Sequence, residues 1–292
     1  MSGTLSRLSD DLASDLAGCH LCPRHCAVDR TAGPAGRCGT GALARVDAAF
    51  AHFGEEPCLV ACGGSGTIFF GGCGLGCIFC QNASISRGGE GRLVTAEGLA
   101  ELMLALQQQG CQNVNLVTPT HVFPQCVAAL DIAVRRGLRV PLVCNTGGYE
   151  DPGTLRRLDG VFDIYLPDLK TLDTERARLW FRAPDYPEVA CEAFREMHRQ
   201  VGPLVTDDRG VAVRGLVARH LVMPGATEDA FAVMAFLASL GPGVAVSILA
   251  QYRPLAGATG CPGLDRRPAT LEVEAVIAEA RRLGLRIVGP VP

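Results

Sequence analysis

Short apolar runs alternate with longer amphipathic segments along most of this chain. From residue 67 onward, a run rich in β-branched, aliphatic or aromatic residues is repeatedly followed by a segment whose apolar residues lie three or four positions apart. The short runs are typical of buried strands, and the longer segments are typical of helices that pack one face on a sheet. The predicted strands cover residues 67–70, 113–117, 140–144, 161–166, 210–222, 244–249 and 285–288. The predicted helices cover residues 95–109, 124–136, 151–158, 174–181, 187–201, 228–240 and 270–283.

This alternation predicts six parallel strand–helix units. Right-handed crossovers wind such units into a barrel or part of one. We therefore expect an α/β fold, a partial (β/α)6 barrel of the TIM type, over residues 63–292. A cysteine-rich N-terminal extension, which begins with a helix, is expected over residues 1–62. Binding and catalytic residues of such barrels lie at the carboxyl ends of the strands.

Composition and charge exclude several classes of protein. The chain has 292 residues, of which 48% are hydrophobic, and a net charge of −3. A basic field is missing, so we expect no nucleic-acid partner. A run of about 20 apolar residues is also missing, which predicts no membrane span. The first residues lack the apolar core of a signal peptide, so a cytoplasmic location is expected.

The cysteines are concentrated in the first third of the chain. Nine of the fourteen lie between Cys19 and Cys80. In a reducing compartment such clustering predicts metal binding rather than disulfides. Cys58 and Cys62 form a separate pair, which we expect to be buried free thiols.

A glycine-rich loop directly after the first predicted strand carries Cys73, Cys77 and Cys80, with Phe79 before the last of them. Cysteine thiolates hold iron–sulfur clusters. A cubane cluster has four irons, so three ligands leave one iron open to a ligand that is not protein. The alternative is a structural zinc site, or a closed cluster with a fourth ligand from elsewhere in the chain.

The Cys-x3-Cys-x2-Cys spacing, with its aromatic residue and preceding strand, resembles the radical S-adenosylmethionine (radical SAM) superfamily. The resemblance implies a [4Fe–4S] cluster whose open iron binds S-adenosylmethionine, with Cys73, Cys77 and Cys80 as the catalytic cluster ligands. Reductive cleavage of that cofactor then gives a 5′-deoxyadenosyl radical that abstracts hydrogen from a substrate. Phe79 and Gln81 are expected beside the cofactor. Flavodoxin or ferredoxin is the implied electron donor.

Candidate cofactor contacts follow the second and third predicted strands. The superfamily commonly has a Gly-Gly-Glu turn after the second strand, whereas this chain has Thr118-Pro-Thr-His. Thr118 or Thr120 is expected to replace that turn. Asn145 follows the third strand and is expected to bind a ribose or a carboxylate, although a turn residue is the alternative.

Two later strand ends supply further candidates. Asp168 and Lys170 resemble the Asp-x-Lys of glycyl-radical-enzyme activases, in which the lysine meets the S-adenosylmethionine carboxylate and the aspartate helps to bind a monovalent cation. The alternative is a mutual salt bridge. His220, in the fifth strand, is expected to contact the nucleoside or to be a core histidine bonded to backbone.

Four more cysteines precede the barrel, in a segment whose glycines and prolines predict loops. Cys19, Cys22, Cys26 and Cys38 predict a second metal site, with His20 and His25 as alternate ligands. Zinc and a second iron–sulfur cluster both suit four cysteines. Free thiols or a redox-active pair are the alternative.

Longer sequence motifs resemble one branch of the radical SAM superfamily. The N-terminal Cys-x2-Cys-Pro-Arg-x-Cys, the Asp-x-Lys strand end and Arg-His-Leu-Val-Met-Pro-Gly225 resemble PflX-type proteins, which are similar to the pyruvate formate-lyase activating enzyme. This implies an oxidoreductase that acts on a glycyl radical enzyme. Modification of a small molecule or a peptide is the alternative within enzymes. A non-catalytic iron–sulfur electron carrier or sensor is the alternative from another class.

Overall fold

The computed structural model describes residues 2–289, and the predicted strand–helix units form in it. The strands are β1 (Ala44–His52), β2 (Ser65–Phe70), β3 (Arg92–Val94), β4 (Val114–Val117), β5 (Leu142–Thr146), β6 (Ile164–Pro167), β7 (Val205–Thr206), β8 (Ala212–Leu221), β9 (Ala245–Leu249) and β10 (Arg286–Ile287). The helices are α1 (Ser2–Ser14), α2 (Pro57–Val60), α3 (Ala83–Gly88), α4 (Ala96–Gln108), α5 (Phe123–Arg135), α6 (Pro152–Arg157), α7 (Thr174–Phe181), α8 (Tyr186–Val201), α9 (Thr227–Ser239) and α10 (Thr270–Arg282).

The strands form one sheet in the order β10-β9-β8-β6-β5-β4-β2-β1-β3, with the short β7 paired to β8. All pairs from β2 to β10 along this path are parallel, whereas β1 pairs antiparallel with β2 and β3 with β1. Over the described residues, β10 and β3 are the two edges of this path. The predicted partial barrel of parallel strand–helix units is therefore confirmed.

Strand β1 was not predicted. It is rich in alanine, which has little preference for strands, and its partner lies some twenty positions further along the chain. Because β1 pairs with β2, part of the segment 1–62 belongs to the same sheet as the barrel. The division into an extension and a barrel at residue 62 stays a prediction.

The two faces of the parallel sheet differ in composition. Ile68, Leu116 and Cys144 point outward and join the main core beneath the helices. Neighbouring residues point inward, since side chains alternate along a strand. The inward positions include polar side chains on most of the parallel strands: Thr67, Asn115, Asn145, Arg219 and Ser247.

A short segment closes the end of the barrel where the parallel strands begin. Leu59, in α2, is fully buried against Val143, Ile164 and Val217. The Asn113 amide donates a 2.8 Å hydrogen bond to the Leu59 carbonyl, which fixes this segment to β4. The opposite end, where the strands finish, carries the loop cysteines.

Helix lengths and hydropathy also bear on membrane association. Among residues 2–289, no helix is both long and apolar enough to cross a bilayer.

Candidate functional site

The three loop cysteines lie at the carboxyl end of β2. The loop turns through Gly72 and Gly76, which have φ values of 91° and 70°. A side chain at Gly72 would also meet the Cys38 carbonyl at 2.6 Å, so glycine is required there by conformation and by space. These turns gather Cys73, Cys77 and Cys80 over the strand end.

The chemistry of this donor set fits an iron–sulfur cluster. Burial raises the pKa of Cys73, and it raises the pKa of Cys77 to about 12, while the charge of Lys170 acts in the opposite direction on both thiols. Thiolates so placed need a bound cation to be stable. Three cysteines on one loop therefore suit a metal centre better than free thiols.

Phe79 anchors the loop. Its ring is buried and packs edge-on against Trp180, Phe181 and Tyr252, with ring centroids 5.6 to 6.0 Å apart. The Ile78 N–H donates a 2.9 Å hydrogen bond to the Trp180 carbonyl. Phe79 therefore fixes the loop to the end of α7, and its contacts are with aromatic side chains rather than with the polar inner face.

A charged network lies beside the cysteines at the ends of β5, β6 and β8. Lys170 Nζ is 2.5 Å from one Asp168 oxygen, and Arg219 Nε is 2.8 Å from the other. Arg219 Nη2 also donates a 2.6 Å hydrogen bond to the Asn145 side-chain oxygen. Burial opposes ionisation of Asp168, but Arg219 and Lys170 hold its pKa below its usual value.

The backbone around this network is held by Tyr186. Its hydroxyl accepts a 3.0 Å hydrogen bond from the Lys170 N–H and lies 3.0 Å from the carbonyls of Gly147 and Asp168. A side chain at Gly148 would meet the Asp168 carbonyl at 2.3 Å, so the turn after β5 packs directly on the turn after β6. The positions of Asp168 and Lys170 are fixed by these contacts.

The two predicted threonines have different surroundings. Thr118 has a left-handed backbone (φ 58°), which is strained for a threonine, and its N–H bonds to the Asn145 carbonyl. Thr120 instead donates a 2.8 Å hydrogen bond to the buried carboxylate of Glu150, which Thr146 also contacts. Burial raises the pKa of Glu150 to about 7. The Thr120 hydroxyl is thus committed to Glu150.

Two predicted residues lie apart from the network. His220 is buried on the outer face, where its Nδ1 is 2.7 Å from the Leu169 carbonyl, and burial lowers its pKa. This is the core histidine that was the alternative interpretation, and cofactor contact by His220 is not supported. Gln81 is exposed on the surface beyond Cys80.

Two residues of the inner face were missed from the sequence. Arg219 joins Asp168 to Asn145, and its Nη1 lies 3.5 Å from Glu55, on the segment after β1. The alternation of β8 places Arg219 on the same face as Val217, but that this face is the inner one is known only from the structure. Glu55 gives no local signal, since its position depends on the unpredicted β1. Cys62 is also exposed rather than buried as expected.

The N-terminal cysteines lie against the other side of the same loop. Cys19, Cys22, Cys26 and Cys38 line a single cavity that Gly74 also lines. Arg24 holds the two parts together. Its Nε donates a 3.0 Å hydrogen bond to the Gly74 carbonyl, and its Nη2 lies 2.9 Å from the Phe181 carbonyl.

The sequence comparison agrees with this geometry. The model of the Radical SAM superfamily matches residues 67–238, from β2 into α9. The chain belongs to this superfamily, and its chemistry is that of a radical SAM enzyme. A [4Fe–4S] cluster and S-adenosylmethionine are the cofactors that this membership implies.

Similar proteins include a curated relative and several solved structures, among them a methylornithine synthase and SuiB. The uncharacterized protein MJ0674 of Methanocaldococcus jannaschii is 28% identical over 283 residues, which cover 92% of this chain and 76% of the relative. Methylornithine synthase (PylB) is 18% identical with a TM-score of 0.49, over 74% of this chain and 60% of that structure. SuiB of Streptococcus suis is 14% identical with a TM-score of 0.47, over 75% of this chain and 47% of that structure. The chain thus spans less than two thirds of both solved structures.

Proposed function

We propose that this protein is a PflX-type radical SAM oxidoreductase that abstracts hydrogen from a protein substrate, with a glycyl radical enzyme as the leading candidate. The charged network of Asp168, Lys170 and Arg219 beside the loop cysteines is the observation that carries the proposal. It pairs a cationic and an anionic side chain at one strand end, as in the Asp-x-Lys of the activases.

The chain's residues would bind and orient the cofactors. Cys73, Cys77 and Cys80 would hold the [4Fe–4S] cluster, and Lys170 would bind the carboxylate of S-adenosylmethionine. When bound, these cofactors supply a 5′-deoxyadenosyl radical by reductive cleavage. Asn145 and Arg219 fix the charged network, while Leu59 excludes water from the far end of the barrel. No proton transfer by a side chain is needed for hydrogen abstraction.

The shape of the sheet favours a macromolecular substrate over a small one. Phe50 pairs with Thr67 and therefore shares the inner face of the sheet. It stacks on Phe69 and remains 43% exposed, and nearby Phe53 is 62% exposed. An aromatic strip at the open side of a partial barrel provides a contact surface for an extended segment of another protein.

The surface around the loop favours an acidic electron donor such as flavodoxin or ferredoxin. Three exposed arginines surround the loop: Arg37, Arg87 and Arg182. Arg87 contacts the Gly76 and Cys77 carbonyls. Partial burial and the neighbouring arginines lower the pKa of Arg37. A concentrated positive charge of this kind steers an acidic partner. We place this reaction in an oxygen-poor cytoplasm.

The function is tested anaerobically with iron–sulfide-reconstituted protein and dithionite. Wild type with S-adenosylmethionine should release 5′-deoxyadenosine, while Cys77→Ala should not. Addition of purified pyruvate formate-lyase should stimulate that release and generate a glycyl-radical signal in electron paramagnetic resonance. Release without the signal contradicts this substrate and leaves small-molecule or peptide modification. Failure of S-adenosylmethionine to bind a loaded cluster contradicts the proposal as a whole.

The donor surface is tested with a charge reversal. Arg37→Glu with Arg182→Glu should slow 5′-deoxyadenosine formation driven by reduced flavodoxin, and the loss should shrink as salt is added. The same variant should match wild type when dithionite is the reductant. Equal losses with both reductants contradict this surface.

A further inference from the structure

A cavity lies between the N-terminal segment and the back of the cysteine loop. It is lined partly by the loop residue Gly74. Its other relevant lining residues are Cys19, Cys22, Cys26, Cys38, Arg30 and His121. The radical SAM chemistry proposed above uses none of them.

The backbone of the N-terminal segment is shaped to turn these cysteines into the cavity. Cys19 exchanges backbone hydrogen bonds with Ala27 (2.9 Å) and Val28 (3.0 Å), which closes a tight loop around Cys22 and Cys26. Ala27 has a left-handed φ of 53° within that loop. Strained backbone of this kind persists where the surrounding structure over-determines it, and it clusters at functional sites.

Glycines keep the walls of the cavity close to the sulfur atoms. A side chain at Gly36 would lie 3.3 Å from Cys26 Sγ, and one at Gly74 would lie 3.5 Å from Cys22 Sγ. Gly36 also has φ 72°. The segment thus brings its own backbone and that of the radical SAM loop directly against two of the four thiols.

A buried imidazole gives a second, independent sign of a ligand. His121 is 2% exposed and lines the cavity. Its Nε2 lies 2.8 Å from the Gly71 carbonyl, while its Nδ1 has no hydrogen-bond partner. Buried polar atoms in native proteins are normally paired, so an unpaired one beside four thiols indicates an additional group. Arg30, also buried, places Nη1 3.6 Å from Cys19 Sγ.

Four cysteines can hold either a tetrahedral zinc ion or a cubane cluster. Zinc has no redox chemistry, whereas an iron–sulfur cluster transfers single electrons. The cavity shares Gly74 with the radical SAM loop, where a second redox centre can exchange electrons with the first. This position favours a cluster over zinc.

We propose that Cys19, Cys22, Cys26 and Cys38 hold a second [4Fe–4S] cluster in this cavity. All four irons then have a protein ligand, so this centre carries one electron at a time but does not bind S-adenosylmethionine. Because Gly74 lies between Cys73 and Cys77 and also lines the cavity, the second centre shares a wall with the first.

The test is metal analysis of anaerobically reconstituted protein, with the first centre removed by Cys73→Ala, Cys77→Ala and Cys80→Ala together. Wild type should contain about eight irons and eight acid-labile sulfides per chain, and the triple variant about four of each. After reduction, the paramagnetic signal of the triple variant should not change when S-adenosylmethionine is added.

A second variant, which removes the proposed second cluster instead of the first, keeps the proposal testable if the triple variant misfolds. Cys26→Ser with Cys38→Ser should leave about four irons and a signal that does respond to S-adenosylmethionine. Cys58→Ala with Cys62→Ala, the matched control outside the cavity, should keep about eight. One zinc per chain without sulfide, or wild type with about four irons, overturns the proposal. These readouts are independent of 5′-deoxyadenosine release, so they separate this proposal from the proposed function.

Discussion

Arg219 and His220 are neighbours in β8, yet they lie on opposite faces of the sheet. Arg219 joins the charged network of Asp168 and Asn145 on the inner face. His220 is bonded to a backbone carbonyl among outward-facing core residues. His220 is 2% exposed and the Arg219 side chain only 16%, so low exposure alone does not separate a functional residue from a structural one. The partners of a residue, and the face on which it lies, make that distinction.

The largest expected effect distinguishes a functional cysteine in the loop after β2 from a structural cysteine in the core. Cys73→Ala should reduce 5′-deoxyadenosine formation to the level without enzyme, because it removes a proposed cluster ligand. Cys126→Ala, in the outer core on α5, should leave the rate unchanged and lower the free energy of unfolding by about 1 kcal/mol. Iron content, turnover and urea unfolding of both variants give the result. Equal turnover by the two variants contradicts the role of Cys73 as a cluster ligand.

A smaller effect is expected from Lys170→Met. Loss of a charged hydrogen-bond donor should weaken S-adenosylmethionine binding about 10- to 100-fold, because a hydrogen bond to a charged group contributes about 1.5–3 kcal/mol. Equilibrium dialysis with reconstituted protein measures the affinity, and Lys170→Arg, which keeps the charge, is the control. Unchanged affinity in the methionine variant would falsify the role of Lys170.

The neighbouring pair in β8 is compared directly. Arg219→Met should lower turnover several-fold, because Asp168 loses one of its two cationic partners. His220→Phe should instead cost about 1–3 kcal/mol of unfolding free energy, because it leaves the Leu169 carbonyl unpaired, while turnover per folded molecule is retained. Urea unfolding beside 5′-deoxyadenosine assays separates the two effects. A turnover loss confined to His220→Phe reverses the comparison.

The smallest effect is expected for Glu272, which lies at the start of α10 and on neither face of the sheet. Glu272 accepts hydrogen bonds from Arg266 and from the N–H groups of Ala269 and Gly225, which lower its pKa from 4.5 to about 2. The stabilisation is therefore present above pH 4.5 and lost as the pH falls towards 2. Because the site is partly exposed, Glu272→Gln should cost only about 1 kcal/mol at pH 7, and less at pH 3. A difference that is constant with pH contradicts this account.

Much of the fold follows from local sequence. Strands β2 to β9 on the parallel path and their helices were predicted within a few residues. The spacing of apolar residues and the glycines that end helices are both visible in the local sequence. Strand β1 was missed, since Ala-rich residues 44–52 depend on pairing with β2. Glu55 was missed with it.

The site was predictable to the extent that its residues are close in sequence. The Cys-x3-Cys-x2-Cys loop and the Asp168–Lys170 pair were found because short spacings place them together. To identify Arg219 rather than His220 as the functional residue, one must know which side chains of β8 face the inside of the barrel. To assign Thr120, one must know that its hydroxyl bonds to Glu150, thirty positions further along the chain. Neither is encoded in a few neighbouring positions.

The closure of the barrel floor by Leu59 has a kinetic consequence. Within residues 2–289, Leu59 leaves two ways out of the barrel, the end that carries the cysteines and the lateral opening between the sheet edges β3 and β10. Under the proposed function, a protein substrate that covers both openings retains methionine and 5′-deoxyadenosine until it dissociates. We therefore expect one hydrogen abstraction per encounter, with a turnover rate set by dissociation of that substrate.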